Sequence, residues 1–389
     1  MEAEKTVRES FARIFGGDGD IRCYFAPGRV NLIGEHTDYN GGHVFPCALT
    51  IGTYAAVRKR GDRKLRLYSE NFPDDGVCES SLDGLMYRTE DGWANYPKGV
   101  INEAAKRGYE ADVGFDIAFY GNIPNGSGLS SSASIEVLTG EALRDMYGFD
   151  YDQITNALIG QAAENAFIGV NCGIMDQFAV AMGRKDKAIF LDTATLAYEY
   201  APIVLDGVKI VIMNTNKKRG LGDSKYNERR AECEEALHRL QSIVNIATLG
   251  ALREEEFECC KHVIGDEVLL RRARHAVTEN ARTIRAFEAL AKGDINEFGQ
   301  LMNASHRSLR DDYEVTGREL DTLTEAAWEQ DGVIGARMTG AGFGGCCVSL
   351  VREECVEAMT RAVSEIYETK IGYPPSFYVV SVGDGPRRI

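Results

Sequence analysis

The stretch NIPNGSGLSSSASIEV, residues 122–137, places glycines and a run of serines directly before an apolar pattern that predicts a helix. Serine is a preferred N-cap residue, so an ordinary turn with a generous cap is one interpretation. A phosphate-binding loop is the other, because a helix start offers unpaired N–H groups and the positive end of the helix dipole. Composition alone leaves both interpretations open.

The segments around this stretch mix strands and helices. FDIAFYGNI before it alternates apolar and polar residues like a strand, while SIEVLTGEALRDMYG and YDQITNALIGQAAENAFIG after it have helical spacing. Further helices are predicted over 266–292 and 294–310, and a strand over 21–26. Because no regular strand–helix–strand repeat occurs, we expect an α+β fold. We place a boundary between 1–195 and 196–389, and expect two tightly packed domains because no flexible linker is evident.

Overall composition limits the class of protein. The 389 residues are 44% hydrophobic and carry a net charge of −15, which argues against a sequence-independent nucleic-acid binder. The ten cysteines form no C-x-x-C pair, and the first residues predict an amphipathic helix rather than a signal peptide. No apolar run approaches the roughly 18 residues of a membrane span. We therefore expect a soluble, cytoplasmic protein with reduced thiols and no nucleic-acid or membrane partner.

Two other glycine-rich stretches lie far from the first: GRVNLIGEHTDYNGG at 28–42 and MTGAGFGGCC at 338–347. Neither 122–137 nor 338–347 contains the P-loop pattern, and a strict dinucleotide-binding pattern is absent as well. One glycine-rich loop is weak evidence of function. Three in one chain, one of them dense in charged residues, favour an enzyme that handles phosphate over a structural module.

Together the three stretches resemble the GHMP small-molecule kinases, and 28–42 is close to the signature of their galactokinase branch. The resemblance runs in order along the chain and includes NCGIMDQF at 171–178 and SKYNERRAEC at 224–233. It implies an N-terminal domain like ribosomal protein S5, a ferredoxin-like C-terminal domain, and an active site in the cleft between them.

The implied activity is phosphorylation of the anomeric hydroxyl of D-galactose by ATP, the first step of galactose catabolism in the Leloir pathway. A sister sugar 1-kinase acting on N-acetylgalactosamine, arabinose or galacturonate is an alternative. A catalytically silent sensor of galactose and ATP is another, although such relatives are altered in the serine run, which is whole here. The family also implies a monomer.

On the nucleotide side, the resemblance implies that the loop of residues 126–132 wraps the ATP phosphates. The residues concerned are Gly126, Ser127, Gly128, Leu129, Ser130, Ser131 and Ser132. The glycines let the backbone approach an anion closely. Trp93 matches a family aromatic near the adenine, although a core or rim tryptophan is an equal alternative.

Ser132 and Glu164 match the ligands of Mg²⁺ in the family. This cation is commonly held by one or two carboxylates plus phosphate oxygens. A solvated helix carboxylate is the alternative for Glu164.

Asp176 lies in an apolar segment, GIMDQF, where a buried unpaired carboxylate would be costly. The resemblance supplies Arg29 as its partner and makes the two residues catalytic. Asp176 would act as general base toward the anomeric hydroxyl, yet a neighbouring arginine favours the carboxylate and weakens it as a base. In the alternative, Arg29 steadies the phosphoryl charge while Asp176 orients the hydroxyl and the proton moves late. A structural salt bridge is the third interpretation.

Glu35, His36 and Asp38 place three polar groups within four residues, as recognition of sugar hydroxyls requires. The family uses these positions for the sugar, with Gly173 and Tyr226 completing the pocket. A polar turn is the alternative for the two acids. A metal site at His36 is disfavoured because no second histidine lies at ligand spacing.

Overall fold

The computed structural model describes residues 2–124, 128–203, 205–217 and 222–389; the side chains of 222–224 are outside the description. Up to residue 202 its helices and strands are α1 (Glu2–Phe15), β1 (Arg22–Asn31), β2 (His43–Val44), β3 (Pro46–Lys59), β4 (Lys64–Ser69), β5 (Cys78–Ser81), α2 (Asn95–Lys106), β6 (Phe115–Gly121), α3 (Ser131–Tyr147), α4 (Gln153–Ala162), α5 (Met175–Ala181), β7 (Lys187–Asp192) and β8 (Tyr198–Pro202). The later elements are β9 (Val208–Asn214), α6 (Gly222–Leu240), α7 (Glu254–Cys260), α8 (Glu267–Ala291), α9 (Ile295–Ser308), α10 (Gly317–Trp328), β10 (Val333–Thr339), β11 (Cys346–Arg352), α11 (Val356–Ile371), β12 (Ser376–Val380) and β13 (Arg387–Arg388).

The strands form mixed sheets with helices packed against them. A six-stranded sheet has the order β13–β1–β3–β6–β4–β5, and within it β4 and β6 are parallel while the other neighbours are antiparallel. A four-stranded sheet has the order β10–β11–β9–β12, and a small sheet the order β2–β7–β8. This arrangement confirms the predicted α+β class.

Local sequence signals explain the long helices of the second half. The side chain of Asp266 accepts hydrogen bonds from the N–H groups of Val268 and Leu269 and so caps α8. Asp294 caps α9 in the same way through Glu297 N. These caps place both helices within two residues of the predicted ranges.

Each half has its own apolar core, and a third cluster joins them. Val30 and Phe45 from the first half pack in one buried cluster with Met302 and Val348 from the second. Separating the halves would expose this cluster to water, at a cost of about 25 cal/mol per Å² of apolar surface. The predicted tight packing of the two domains is therefore confirmed.

Two predicted elements differ in extent from the observed ones. The strand predicted over 21–26 continues to Asn31, because β1 stays paired with β3 through a bulge between Pro27 and Arg29. The single helix predicted over 151–169 is α-helical only to Ala162 and continues as a π-helical turn, Ala163–Ile168. Both differences fall beside candidate site residues, where bulges and π-turns commonly occur.

Strand pairing crosses the predicted domain boundary at residue 195. β7 and β8 form an antiparallel hairpin around this position, and β13 at the end of the chain pairs with β1. The division into 1–195 and 196–389 therefore remains a proposal. Separately, none of the helices that the structure describes has the length and apolar character of a membrane span.

Candidate active site

A cavity of about 330 Å³ lies where the glycine-rich stretches meet. Its walls come from both halves of the chain, although the contributing segments are far apart in sequence. Among the residues that line it are Arg29, Glu35, His36, Asp38, Gly128, Ser130, Ser131, Ser132, Glu164, Gly173, Asp176, Tyr226, Gly340 and Phe343.

Arg29 and Asp176 form a two-pronged ion pair at this cavity. Arg29 Nε lies 2.7 Å from Asp176 Oδ1, and Arg29 Nη2 lies 2.7 Å from Oδ2. The arginine side chain is 3% exposed and that of the aspartate is 30% exposed. The predicted partnership is therefore present, but the expectation of a buried Asp176 is wrong: the carboxylate faces the cavity, because α5 begins at Met175 on its wall.

The glycine and serine loop is attached directly to this ion pair. Arg29 Nη1 donates to the carbonyl oxygen of Gly128 at 2.8 Å, and Arg29 N donates to that of Leu129 at 3.2 Å. The hydroxyl of Ser130 donates to Asp176 Oδ2. β1 therefore holds the loop before α3 and the carboxylate of α5 in one position.

The start of α3 does not have the geometry of an ordinary serine cap. Ser130, at the N-cap position, has φ +57° and its side chain accepts no hydrogen bond from the helix. Its side chain donates instead to Asp176, and this hydrogen bond helps to hold Ser130 in a backbone conformation that residues other than glycine rarely adopt. The first N–H groups of α3, beginning at Ser131, are consequently left without a side-chain cap, and Ser131 and Ser132 line the cavity.

Acidic side chains surround one side of the cavity near Ser132. Gln177 Nε2 donates to Glu164 Oε2 at 2.7 Å and to Glu136 Oε2 at 2.9 Å. Burial raises the pKa of Glu164 to about 7, and the charge of Asp176 contributes to the rise. Hydrogen bonds to Glu164 from Cys172 and Gln177 oppose this shift. Carboxylates this close together repel one another when both are charged, and a bound cation would stabilise their charged forms.

Glu136 is fully buried in the same group, and its Oε1 has no hydrogen-bond partner among the described residues. Burial and the charge of Glu164 raise its pKa well above the usual range. Within the described part of the chain, no three His, Cys, Asp or Glu side chains converge to hold a metal by themselves. A cation bound at Ser132 and Glu164 thus needs further oxygen ligands, which phosphate and water provide.

His36 is buried, with φ +61°, and its Nδ1 lies 2.7 Å from the hydroxyl of Tyr39. Its Nε2 has no hydrogen-bond partner among the described residues, although it borders the cavity. Burial and the charge of His275 lower the pKa of His36 to about 3, so the ring is neutral at pH 7. An unpaired buried nitrogen at a cavity wall is suited to a ligand hydroxyl.

Asp38 and Gly173 are in direct contact across the cavity wall. A Cβ on Gly173 would overlap the Asp38 carboxyl group, since even the most distant carboxyl oxygen would be only 2.8 Å away. Burial raises the pKa of Asp38 to about 6, and the negative charge of Asp176 adds to the shift. Tyr226 on α6 lies beside them, with its ring centroid 5.7 Å from that of His36. The structure therefore brings these predicted sugar-side residues together.

Glu35 is fully buried, and its carboxylate is held from the second half of the chain. It forms an ion pair with Arg337 and accepts a hydrogen bond from Gly340 N at 2.8 Å. Burial raises the pKa of Glu35, and the charge of Arg337 opposes that rise. Both Glu35 and Arg337 are buried beyond the reach of bulk water, so the pair depends on these hydrogen bonds.

A second cavity, of about 210 Å³, lies on the other side of the serine loop. Trp93, Phe72, Phe119 and Ile135 line it together with Ser131 and Ser132, so the two cavities meet at the start of α3. Trp93 packs edge-to-face on Phe119 with ring centroids 5.8 Å apart. This largely aromatic and apolar lining suits a flat ring system better than a polar sugar.

Family models match this chain in three places. The galactokinase galactose-binding signature matches residues 9–59, the GHMP kinase N-terminal domain matches 95–184, and the GHMP kinase C-terminal domain matches 286–369. The galactokinase of Clostridium beijerinckii is 58% identical over the full length of both chains, and that of Fusobacterium nucleatum is 59% identical over 98% of each. The chain belongs to the galactokinase family.

Solved structures agree with this assignment. The structure of Lactococcus lactis galactokinase complexed with galactose has a TM-score of 0.97 and 52% sequence identity, and the match covers 99% of both chains. A mevalonate kinase structure has a TM-score of 0.66 at 19% identity and covers 94% of this chain, which shows the shared GHMP fold alone. The predicted galactokinase resemblance and the GHMP kinase fold are thus confirmed.

Most of the predicted site residues of this galactokinase family member line one of the two cavities. Leu129 lines neither cavity, because its side chain is fully buried in the apolar cluster that joins the two halves. Gly126 and Ser127 lie outside the described residues. The roles assigned to the other site residues remain predictions, since convergence places them together but does not test what each one does.

Sequence reasoning did not identify the contribution of α8 to the sugar-side wall. His275 Nε2 donates to the carbonyl oxygen of Glu35 at 3.1 Å, and Glu279 Oε1 accepts from Gly34 N at 3.1 Å. Arg337 on β10, also unidentified, pairs with Glu35. One signal in the sequence could have indicated this role of α8. Polar residues such as His275 and Glu279 lie on the helix face that packs against the core, and such residues are seldom buried without a specific partner.

Proposed function

We propose that this protein transfers the γ-phosphoryl group of ATP to the anomeric hydroxyl of D-galactose, producing galactose 1-phosphate and ADP. The observation that carries the proposal is the Arg29–Asp176 ion pair, which stands between the sugar-side residues and the serine loop. Phosphoryl transfer depends mainly on positioning and on electrostatic stabilisation, and a fixed arginine–carboxylate pair at this junction supplies both.

The geometry favours an orienting role for Asp176. Both of its oxygens accept hydrogen bonds from Arg29, and Oδ2 also accepts one from Ser130, so its position is rigid. The anomeric hydroxyl would donate to this carboxylate while its oxygen attacks the γ-phosphorus and the bond to ADP breaks. The proton passes to Asp176 late in the step, and Arg29 stabilises the charge on the transferring group.

The serine loop and the second cavity are proposed to bind ATP. Ser131 and Ser132, at the start of the 17-residue helix α3, line both cavities, and the unpaired N–H groups and positive dipole end of a helix start favour a phosphate chain there. The adenine would lie in the second cavity, where Trp93 provides an aromatic wall.

Mg²⁺ is proposed as the metal, held by Ser132 and Glu164. Their hydroxyl and carboxylate oxygens are hard ligands of the kind Mg²⁺ prefers, and the surrounding acidic groups disfavour leaving Glu164 charged without a cation. When bound, the metal would neutralise charge on the β- and γ-phosphates. The residues of the chain position the reacting groups. Gln177 donates a hydrogen bond that fixes the Glu164 carboxylate, and Ser130 and Arg29 hold Asp176 at the reacting hydroxyl.

Galactose would be recognised chiefly by His36 Nε2, which has no hydrogen-bond partner among the described residues, and by the Asp38 carboxylate, whose Oδ1 already accepts a hydrogen bond from Tyr39 N. Leaving such a buried group unpaired costs about 1–3 kcal/mol, which is how the site would reject an epimer. We also propose, as the family implies, that the protein acts as a cytoplasmic monomer. The intact serine run and the Arg29–Asp176 pair argue against a silent sensor.

The test is an assay of ADP release across hexoses with purified protein. Galactose is compared with its 2-acetamido, 6-carboxy and 6-deoxy derivatives, and with arabinose. We expect galactose to have the highest kcat/KM and its product to be the 1-phosphate. Preference for N-acetylgalactosamine, galacturonate or arabinose would assign the protein to a sister activity. Binding of galactose and ATP without ADP release would identify a sensor.

A further inference from the structure

The segment that carries Trp93 is held by buried polar side chains that the proposed reaction does not use. Residues 88–94, which we call the tryptophan segment, precede α2 and are kinked at Gly92, where φ is +46° and ψ is −120°. Glycine is the residue that adopts this conformation readily. Most residues of the segment are exposed, so apolar burial does little to fix its path.

Asn95, the first residue of α2, fixes the start of this segment and its kink. Its Oδ1 accepts a hydrogen bond from Arg88 N at 3.2 Å, and its Nδ2 donates to Arg88 O at 2.6 Å. The same Nδ2 donates to Gly92 O at 3.1 Å, directly before Trp93. Asn95 is 1% exposed, so it makes these bonds away from competing water.

Lys98, one turn further along α2, holds the middle of the segment. Its ammonium donates to Asn95 Oδ1 at 3.2 Å and forms an ion pair with Asp91. The lysine side chain is 1% exposed and that of the aspartate is 11% exposed. Taking such a pair out of water costs free energy that the attraction between the charges often fails to recover, so stability alone does not explain it. Holding Asp91, two residues before Trp93, in one place does explain it.

These side chains have no direct access to a ligand in either cavity. Trp93 and Tyr96 line the second cavity, whereas Asp91, Asn95 and Lys98 line neither. Helix α2 itself packs against α3, whose first residues belong to the serine loop. The bonds from α2 to the tryptophan segment therefore place the indole relative to that loop.

We propose that Asp91, Asn95 and Lys98 are positioning residues that hold the indole of Trp93 in the wall of the second cavity, and so set the affinity for the nucleotide base without touching it. The inference rests on the proposed binding of ATP at this cavity. An aromatic ring that is already in place when the base arrives loses little conformational freedom on binding, so more of the stacking energy remains as affinity.

The first experiment observes Trp93 directly. The chain has two tryptophans, so full-length protein labelled with 5-fluorotryptophan gives two ¹⁹F NMR signals, and Trp328→Phe identifies the signal of Trp93. Asn95→Leu keeps nearly the same shape but makes none of the hydrogen bonds. We expect it to shift or split the Trp93 signal and to leave that of Trp328 in place. An unchanged Trp93 signal would overturn the inference.

The same spectra test the nucleotide site separately. Mg-ADP added to the unmodified protein should move the Trp93 signal and not that of Trp328. If it moves neither signal, the proposed nucleotide site is refuted, while the response to Asn95→Leu still decides whether α2 holds the segment.

The second experiment separates positioning from general stability. Asn95→Leu is expected to raise the ATP KM about five- to fiftyfold, within the worth of one contact between a base and an aromatic ring, with the galactose KM unchanged. Adding Asn95→Leu to Trp93→Ala should raise the ATP KM no further, because the residue through which Asn95 acts is gone. Losses that multiply, or equal changes in both KM values, would contradict the inference.

Asn156→Leu is the matched control for loss of a buried amide. Asn156 is equally buried and donates to Val137 O at 3.1 Å, but it lines neither cavity. We expect it to lower the melting temperature and to leave the ATP KM unchanged. A rise in the ATP KM equal to that of Asn95→Leu would show that the effect is one of stability.

The ion pair provides a second set of variants if Asn95→Leu does not fold. Lys98→Met alone leaves the Asp91 charge without its partner, whereas Asp91→Asn combined with Lys98→Met removes both charges. The double variant is expected to keep the melting temperature of the unmodified protein while its ATP KM stays raised. Recovery of both the melting temperature and a normal ATP KM would show that the pair serves stability alone, and would overturn its positioning role.

Discussion

The Asp38 carboxyl group occupies the space that a side chain at Gly173 would need. Replacing Gly173 by alanine therefore tests whether the position of Asp38 matters for binding galactose. A Cβ at this position would overlap Asp38 Oδ2 and Cγ and lie 2.8 Å from Oδ1, whereas real Cβ contacts essentially never fall under 3.0 Å. The backbone of Gly173 is not in the left-handed region, so the effect of Gly173→Ala comes from the overlap alone.

The size of the effect follows from how far Asp38 must move. Its carboxylate has to shift by about 1 Å or more, and a misplacement of about 1 Å in an active site lowers the rate about 100-fold. We expect kcat/KM for galactose to fall by about that factor, with the ATP KM changed little because the second cavity is not involved. The assay is ADP release with each substrate varied in turn, and circular dichroism checks the fold.

Two comparisons identify the cause. Gly61→Ala is the matched control, since a Cβ there meets nothing within 4 Å and its φ is ordinary. In a double-mutant cycle, Gly173→Ala added to Asp38→Ala should cost almost nothing further, because the clashing group is gone. If the two losses multiply instead, or if Gly173→Ala alone has normal galactose kinetics, the reasoning from this contact is refuted.

Four further predictions concern the same site. Asp176→Asn should lower kcat by about 10²–10⁴-fold while calorimetry still detects ATP binding, and near-normal turnover would remove Asp176 from the mechanism. Ser132→Val should raise the KM for Mg-ATP, and unchanged kinetics would exclude Ser132 as a metal ligand. Asp38→Asn should raise the melting temperature at pH 8 but not at pH 4: burial raises the pKa of Asp38 to about 6, so the native protein is favoured by protonation and loses that stability as the pH rises through about 6. Equal shifts at both pH values would contradict this sign. Arg337→Met, which leaves Glu35 buried without its cation, should lower the free energy of unfolding by about 3–5 kcal/mol in urea titrations, and a loss under 1 kcal/mol would show that the pair contributes little.

The agreement between sequence and structure is closest where the signals are local. The ends of α8 and α9 follow from apolar spacing and from the caps Asp266 and Asp294, all within one segment of chain. The extent of β1 was missed because its last residues are held by pairing with β3, and the glycine content of that stretch favoured a loop. The exposure of Asp176 was misjudged for a similar reason: its apolar neighbours in sequence face the core, while its own side chain faces the cavity.

By itself, the sequence determined the α+β class, through the order of its strands and helices, and the family, through several separate motifs that occur together in order. The Arg29–Asp176 partnership followed from that family resemblance. Only the tertiary structure decided how Glu35 is held, since its partner Arg337 lies about 300 residues away, on β10 of the four-stranded sheet. It also decided that Ser130 bonds to Asp176 instead of capping α3, and that Gly173 leaves space for Asp38. The physical reason is the same in each case: the burial and the partners of a polar side chain depend on which distant segments pack against it, and no local pattern records that choice.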